Sequence, residues 1–175
     1  MRRIGVTLVV VLTAFQLSMF ARPPQNQAQQ ANADLNQLMR GVLYPAANVV
    51  FFAQADDPAS VKPIPGHDPS MATDPLTSTF GGWQSVENAA LAVAESANLL
   101  LIPGRTCSSG VPAPTKDPDW LKLVQQLRDA GMSAYRAAQS KDQDKMVATA
   151  ETLSAACANC HRKWRDRRAP AIRCK

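Results

Sequence analysis

The chain has 175 residues, 46% of them hydrophobic and 19% charged, proportions that suit one domain of ordinary size with a real core. Alanine dominates several stretches, glycine lies mostly outside the periodic segments, and no stretch alternates cleanly between apolar and polar residues, which favours helices and counts against a sheet. The net charge of +5 is unevenly spread, with ten Lys and Arg against thirteen Asp and Glu over residues 22–161 and seven against one over residues 162–175; in an exported chain the basic end reads as a solvated tail or a docking face for an acidic protein, not as a nucleic-acid site.

Met1-Arg2-Arg3 and the mostly apolar run from Ile4 to Ala21 are followed at once by Arg22-Pro23-Pro24-Gln25. This order predicts a secretory signal peptide over residues 1–21, with its cleavage point unmarked. An uncleaved membrane anchor is the alternative, because the apolar run approaches spanning length. After cleavage no stable membrane insertion is expected, and export permits disulfide chemistry. Residues 22–33 form a polar linker.

The first helix is expected from about Asp34 to Gln54, with Leu35, Leu38, Met39, Val42, Ala46, Val49 and Val50 as its buried stripe. Pro45 should kink it, since proline lacks an N–H and crowds the Gly41 carbonyl. A long Pro-rich crossing from Ala55 to Trp83 leads to a second helix, about Gln84 to Leu101, with the stripe Val86, Ala90, Val93, Ala97 and Leu100. Ile102 to Asp117 is a second irregular crossing, rich in Pro, Gly and Ser. The third helix, about Pro118 to Gln139, carries Trp120, Leu123, Val124, Leu127, Ala130, Ala134 and Ala137. The fourth, about Asp142 to Arg167, carries Met146, Ala150, Leu153, Ala156, Cys157, Cys160 and Trp164. Only a few residues around Ser140-Lys141 join the last two, which makes them antiparallel neighbours. The expected fold is all-α, an antiparallel four-helix bundle over residues 34–168 with a basic tail at 169–175.

Cys157-Ala158-Asn159-Cys160-His161 has the C-x-x-C-H spacing that attaches c-type haem. On a helix, residues three and four apart project from one face. Two thioether bonds from Cys157 and Cys160 would hold the ring beside the helix, and His161 would reach the iron as proximal ligand. Two other chemistries use such residues. A zinc site could recruit Cys157, Cys160, His161 and Cys174, although zinc ligands usually sit on turns. A thioredoxin-like pair needs a preceding strand, which is absent from this reading.

Topology points to the far side of such a ring. In an up-down-up-down bundle the end of helix four lies beside the start of helix one, so His161 and Met39 both fall roughly 8–9 Å from the same end. A Met39 thioether could complete a six-coordinate haem, or could simply pack over it. Met132 and Met146 lie far from that end; Met71 and His67 fall in the first crossing, where a lone His is usually solvated. Leu99, Leu100, Trp120 and Leu123 fall near the haem end and would keep water from the ring, which raises a haem's reduction potential. Cys107 in the second crossing and Cys174 in the tail belong to the same end; a disulfide between them is allowed, and two free thiols are the alternative.

The run Cys157-Ala158-Asn159-Cys160-His161-Arg162-Lys163-Trp164-Arg165, together with Met39 near the start of helix one, resembles the class II c-type cytochromes, the cytochrome c-prime and cytochrome c-556 group. In that group the motif ends the last helix and is followed by an aromatic and a basic residue at these spacings, with Trp164 standing where Tyr or Phe is commoner. The resemblance covers about Asp34 to Arg168 and is specific at the haem segment. It implies a periplasmic bacterial protein with one covalent haem c, bound by Cys157 and Cys160, with Arg165 as the basic residue after the motif and the iron held by His161 and Met39; with Leu100 and Trp120 from the topology above, the expected cofactor-binding residues are Cys157, Cys160, Met39, Leu100, Trp120 and Arg165. Members with a Met at the position resembling Met39 are low-spin electron carriers; members without it are five-coordinate and bind nitric oxide or carbon monoxide. The family also implies a homodimer built on the first two helices, where this chain departs through its long first crossing and Pro45.

The leading expectation is a single-electron carrier with no catalytic residues, and the alternative is a gas-binding haem protein with an open distal face. A peroxidase-like enzyme would need distal acid–base groups that this end of the bundle does not offer. Arg162, Lys163, Arg165, Arg167 and Arg168 could steer acidic redox partners.

Overall fold

The structure is a computed structural model that describes residues 30–61, 81–166 and 174. The expected signal peptide, most of the linker, and the tail apart from Cys174 lie outside the described residues, as do His67, Met71, Arg167 and Arg168. Among the described residues the regular structure is helical, with no strand beyond one isolated bridge between Thr106 and Pro112. No helix among them is long and apolar enough to cross a membrane.

The helices stand in four columns. Column one is α1 (Leu35–Leu38), a π turn (Met39–Leu43) and α2 (Tyr44–Phe52); column two is α3 (Gly82–Ser96) with a 3-10 turn (Ala97–Leu101). Column three is α4 (Pro118–Ser140), and column four is α5 (Gln143–His161) ending in a second π turn (Arg162–Asp166). Each column packs on the next in the chain, and α5 also touches α2, so the four share one core.

Aspartates start three of the columns, because a short carboxylate can accept the backbone N–H groups that a helix start leaves without partners. Asp34 and Gln37 form a reciprocal box, Asp34 Oδ1 accepting from Gln37 N at 2.8 Å and Gln37 Oε1 from Asp34 N at 2.9 Å. Asp117 accepts from Asp119 N at 2.8 Å, with Pro118 filling the first helical position where no N–H is needed. Asp142 accepts from Lys145 N at 3.1 Å. Between α4 and α5 the chain turns on Lys141, which takes a left-handed conformation at φ 52°.

The stripe expected for column two is buried, as are those of columns three and four apart from the half-buried Leu123, Cys157 and Cys160, with Val86, Ala90, Val93, Ala97, Ala134, Met146 and Leu153 fully so. Column one differs. Its core side is Leu35, Leu38, Leu43, Ala47, Val50 and Ala53, while Val42, Ala46 and Val49 are only half-buried. The π turn explains the shift. Pro45 cannot donate to Gly41, and the chain widens just before it, so that Tyr44 N–H donates to the Met39 carbonyl five residues back. One extra residue in the turn advances the buried face by one position, from 42 and 46 to 43 and 47, while Val50 is buried as expected. The helix therefore meets the proline with a wide turn directly ahead of it.

The second crossing is tighter than the irregular stretch expected. Cys107 N–H donates to Val111 O at 2.8 Å, Gly110 N–H to Cys107 O at 2.9 Å and Ala113 N–H to Arg105 O at 2.9 Å. This fold-back is pinned to the start of column one by Leu35 N–H donating to Thr106 O at 2.9 Å. Arg105 is 4% exposed; its Nε donates to Leu99 O at 2.8 Å and its Nη1 to Ala33 O. One guanidinium thus ties the end of column two to the entry of column one. Burial pushes its pKa down, and nearby Asp34 opposes that shift. At the other end Gly82, at φ +50°, lets the first crossing close on α3, since a Cβ there would lie 2.4 Å from Pro58 O.

Candidate cofactor site

The core leaves a cleft of about 860 Å³ at the end of the columns that carries the second crossing, within the size range of small-molecule and cofactor sites. All four columns line it. Column four supplies Ala156, Cys157, Cys160, His161 and, from the π turn, Trp164, Arg165 and Asp166. Column one supplies Met39 and Leu43 with the polar residues Asn36, Arg40 and Tyr44; columns two and three add Val93, Leu100, Trp120, Leu123, Val124 and Leu127. The walls are therefore largely apolar, with polar groups on columns one and four.

Helical spacing puts the three motif residues on this one wall. Both thiols are half-buried, and burial raises both pKa values; Cys160, with Cys157 beside it, is pushed up to about 11. Near neutral pH they are thiols, unlike the activated thiolates of redox pairs. Burial pushes the His161 imidazole below its ordinary value, Arg165 adds to that shift and Asp166 opposes it. Neutral imidazole is the form that ligates metals.

Two tryptophans shape the floor. Trp120 and Trp164 meet edge to face, with centroids 5.7 Å apart and planes at 78°. Trp120 is 2% exposed, and its Nε1–H donates to Leu100 O at 3.1 Å, which satisfies its polar edge and leaves an apolar surface to the cleft. Cys174 and Cys107 form a disulfide with Cα atoms 4.9 Å apart. Cys174 N–H donates to Trp164 O at 3.2 Å, and Cys174 itself lines the cleft. The expected tether is present, and it ties the chain beyond the motif to the second crossing.

Every residue expected to hold the cofactor lines this cleft: Cys157, Cys160, His161, Met39, Leu100, Trp120 and Arg165. Leu99 does not; it is half-buried elsewhere, where its carbonyl receives Arg105. Met132 and Met146 are likewise absent from the lining, Met146 being fully buried in the core. Asn36, Arg40 and Asp166 are cleft residues that sequence reasoning missed. At the basic end, among the described residues, Lys163 pairs with Asp119, and Arg165 pairs with Asp166 at 2.7 Å. Among the described residues no group of three or more His, Cys, Asp and Glu is gathered as a metal cluster, and Cys174, a candidate zinc ligand, is held by Cys107. One imidazole and one thioether on a shared cleft need no such group.

Searches of family models, curated proteins and solved structures find no match to this chain.

Proposed function

We propose that this chain is a periplasmic c-type cytochrome of the class II kind, an antiparallel four-helix bundle that carries one covalent haem and passes single electrons. The observation that carries the reading is that one apolar cleft gathers Cys157, Cys160, His161 and Met39. The cleft fits a flat, largely apolar ring in size and polarity, and its donor set fits a haem iron, which takes a His and a Met in electron carriers. Bound there, haem supplies reversible one-electron exchange between its ferrous and ferric states.

The residues divide the work by chemistry. Cys157 and Cys160 would hold the ring covalently, through two thioether links. His161 would hold the iron through a neutral ring nitrogen, and Met39 through its sulfur. Leu100, Trp120 and Leu123 exclude water, which disfavours the added positive charge of the oxidised state and raises the potential. Met39 opens the π turn of column one, and such wide turns recur at functional sites. Arg162, which has no ion pair among the described residues, offers a cation beside the cleft to an acidic partner.

Absorption spectra of the oxidised and reduced protein test this reading. The oxidised protein should show the weak near-infrared band of Met–iron ligation, and Met39→Ala should abolish it. A high-spin ferrous spectrum that shifts with carbon monoxide in the unmodified protein would instead make it a gas binder.

A further inference from the structure

Columns one and four both line the cleft, carrying Met39 and His161. Where column one ends and column four begins, the two are bonded directly: Gln143 Nε2 donates to Gln54 O at 3.3 Å and to Ala53 O. At the cleft end the second crossing joins them. Leu35 N–H, at the start of column one, donates to Thr106 O at 2.9 Å. The next residue, Cys107, is bonded to Cys174, and Cys174 N–H donates to Trp164 O at 3.2 Å. Met39 lies one turn after Leu35, and His161 one turn before Trp164. One disulfide therefore closes a path between the backbones that carry the two proposed iron ligands.

The segment that bond governs is short. Leu35–Leu43 stands ahead of Pro45, which contributes no N–H to the turn before it, so this segment can shift while α2 stays on α3 and α5. We propose that the Cys107–Cys174 disulfide is a redox latch: closed, it holds columns one and four at the span that joint ligation by Met39 and His161 requires, and opened by a dithiol reductant it releases Met39 and frees a position for a small gas such as carbon monoxide. The inference rests on the haem reading of this cleft. The two sulfurs differ in access, since Cys107 is 2% exposed, whereas Cys174 is half-buried and lines the cleft. A thiolate of the reductant therefore attacks Cys174 Sγ, the S–S bond breaks, and Cys107 Sγ leaves and takes a proton. The reductant's second thiol then displaces Cys174, which takes the other proton. The reductant ends as a disulfide, and Cys107 and Cys174 end as thiols.

The test compares the purified holoprotein of wild type, Cys107→Ala/Cys174→Ala and Gly131→Ala, the last altered outside the cleft lining with its disulfide intact. Ascorbate reduces the haem for carbon monoxide titration and leaves the disulfide closed; dithiothreitol opens it in wild type without any substitution. The ferric near-infrared Met–iron band should be present in wild type and Gly131→Ala and should fall by at least half in the double variant. Carbon monoxide should bind the double variant, and wild type after dithiothreitol, about tenfold more tightly than wild type under ascorbate, because Met39 then occupies the site in fewer molecules. Leu35 N–H should exchange with deuterium about tenfold faster in the double variant, a readout of the latch that does not pass through the cofactor. An undiminished band in the double variant, equal carbon monoxide affinity with the disulfide open and closed, a loss matched by Gly131→Ala, or unchanged Leu35 exchange would overturn the latch and leave the haem reading standing. A wild type that lacks the near-infrared band with its disulfide closed would overturn Met39 ligation and the latch together.

Discussion

Removing the Cys107–Cys174 disulfide should cost the fold a large part of its stability. The bond closes a loop of sequence separation 67. In the chain-entropy treatment, cross-linking a loop of that length lowers the freedom of the unfolded chain by about 4 kcal/mol at 25 °C. The thioethers proposed at Cys157 and Cys160 do not substitute for it, because they sit within one turn of one helix and close no long loop. Measured values for native disulfides cluster at about 2–4 kcal/mol, and for a domain of this size that is a fall in Tm on the order of 10 °C. Cys107→Ala/Cys174→Ala, with wild type before and after reduction by dithiothreitol, should be compared by urea unfolding. The midpoint should fall and the denaturant slope should rise, because the unfolded chain exposes more surface once the loop is released. A loss under about 1 kcal/mol, with an unchanged slope, would refute the account of the bond as a topological tie.

Gly131→Ala should destabilise by about 1–2 kcal/mol: its new Cβ would lie 2.8 Å from Ala94 N and 3.0 Å from Ala94 Cα, and the overpacking outweighs the roughly 1 kcal/mol that alanine gains in a helix. Urea midpoints decide it, and a stabilised variant would show that α3 and α4 have room to part. Asp142 is held below its ordinary pKa chiefly by the Lys145 side chain and then by the Lys145 backbone N–H. Its contribution is therefore present above the ordinary carboxylate range, about pH 4, and is lost as pH falls through the lowered folded value. Asp142→Ala should melt below wild type at pH 7, and the gap should close near pH 2.5; an equal gap at both would contradict the ion-pair assignment.

Columns two, three and four were legible because unbroken helices carry their apolar residues at regular intervals, and Asp34, Asp117 and Asp142 stand where the starts were expected. Column one was legible up to the turn at Met39 and again at Val50, but not between them. Pro45 announces an interruption, but the residue sequence does not say whether the chain bends or inserts a residue, and that choice sets whether Val42 or Leu43 faces the core. The motif wall of the cleft followed from the spacing of Cys157, Cys160 and His161, and Met39, Leu100 and Trp120 followed from helix lengths. Arg105 was invisible: an arginine in a loop rich in Pro, Gly and Ser reads as solvated, and its carbonyl partners, Leu99 and Ala33, are made available only by the folded backbone. Arg40 had a faint signal in its place beside Met39. The fold-back at Cys107 had one too, in Gly110, which adopts φ 79°. Pairing of Lys163 with Asp119 joins residues 44 apart in the chain, so counting charges along the sequence does not show it.

Covalent attachment tests the central claim most directly. The chain should be produced with export in a host able to attach c-type haem, and its intact mass and haem-stained denaturing gel compared with those of Cys157→Ala/Cys160→Ala. The account predicts a mass increased by one haem and a stained band for wild type, with both lost in the double variant. A wild-type mass equal to that of the polypeptide alone, with no stained band, would contradict it.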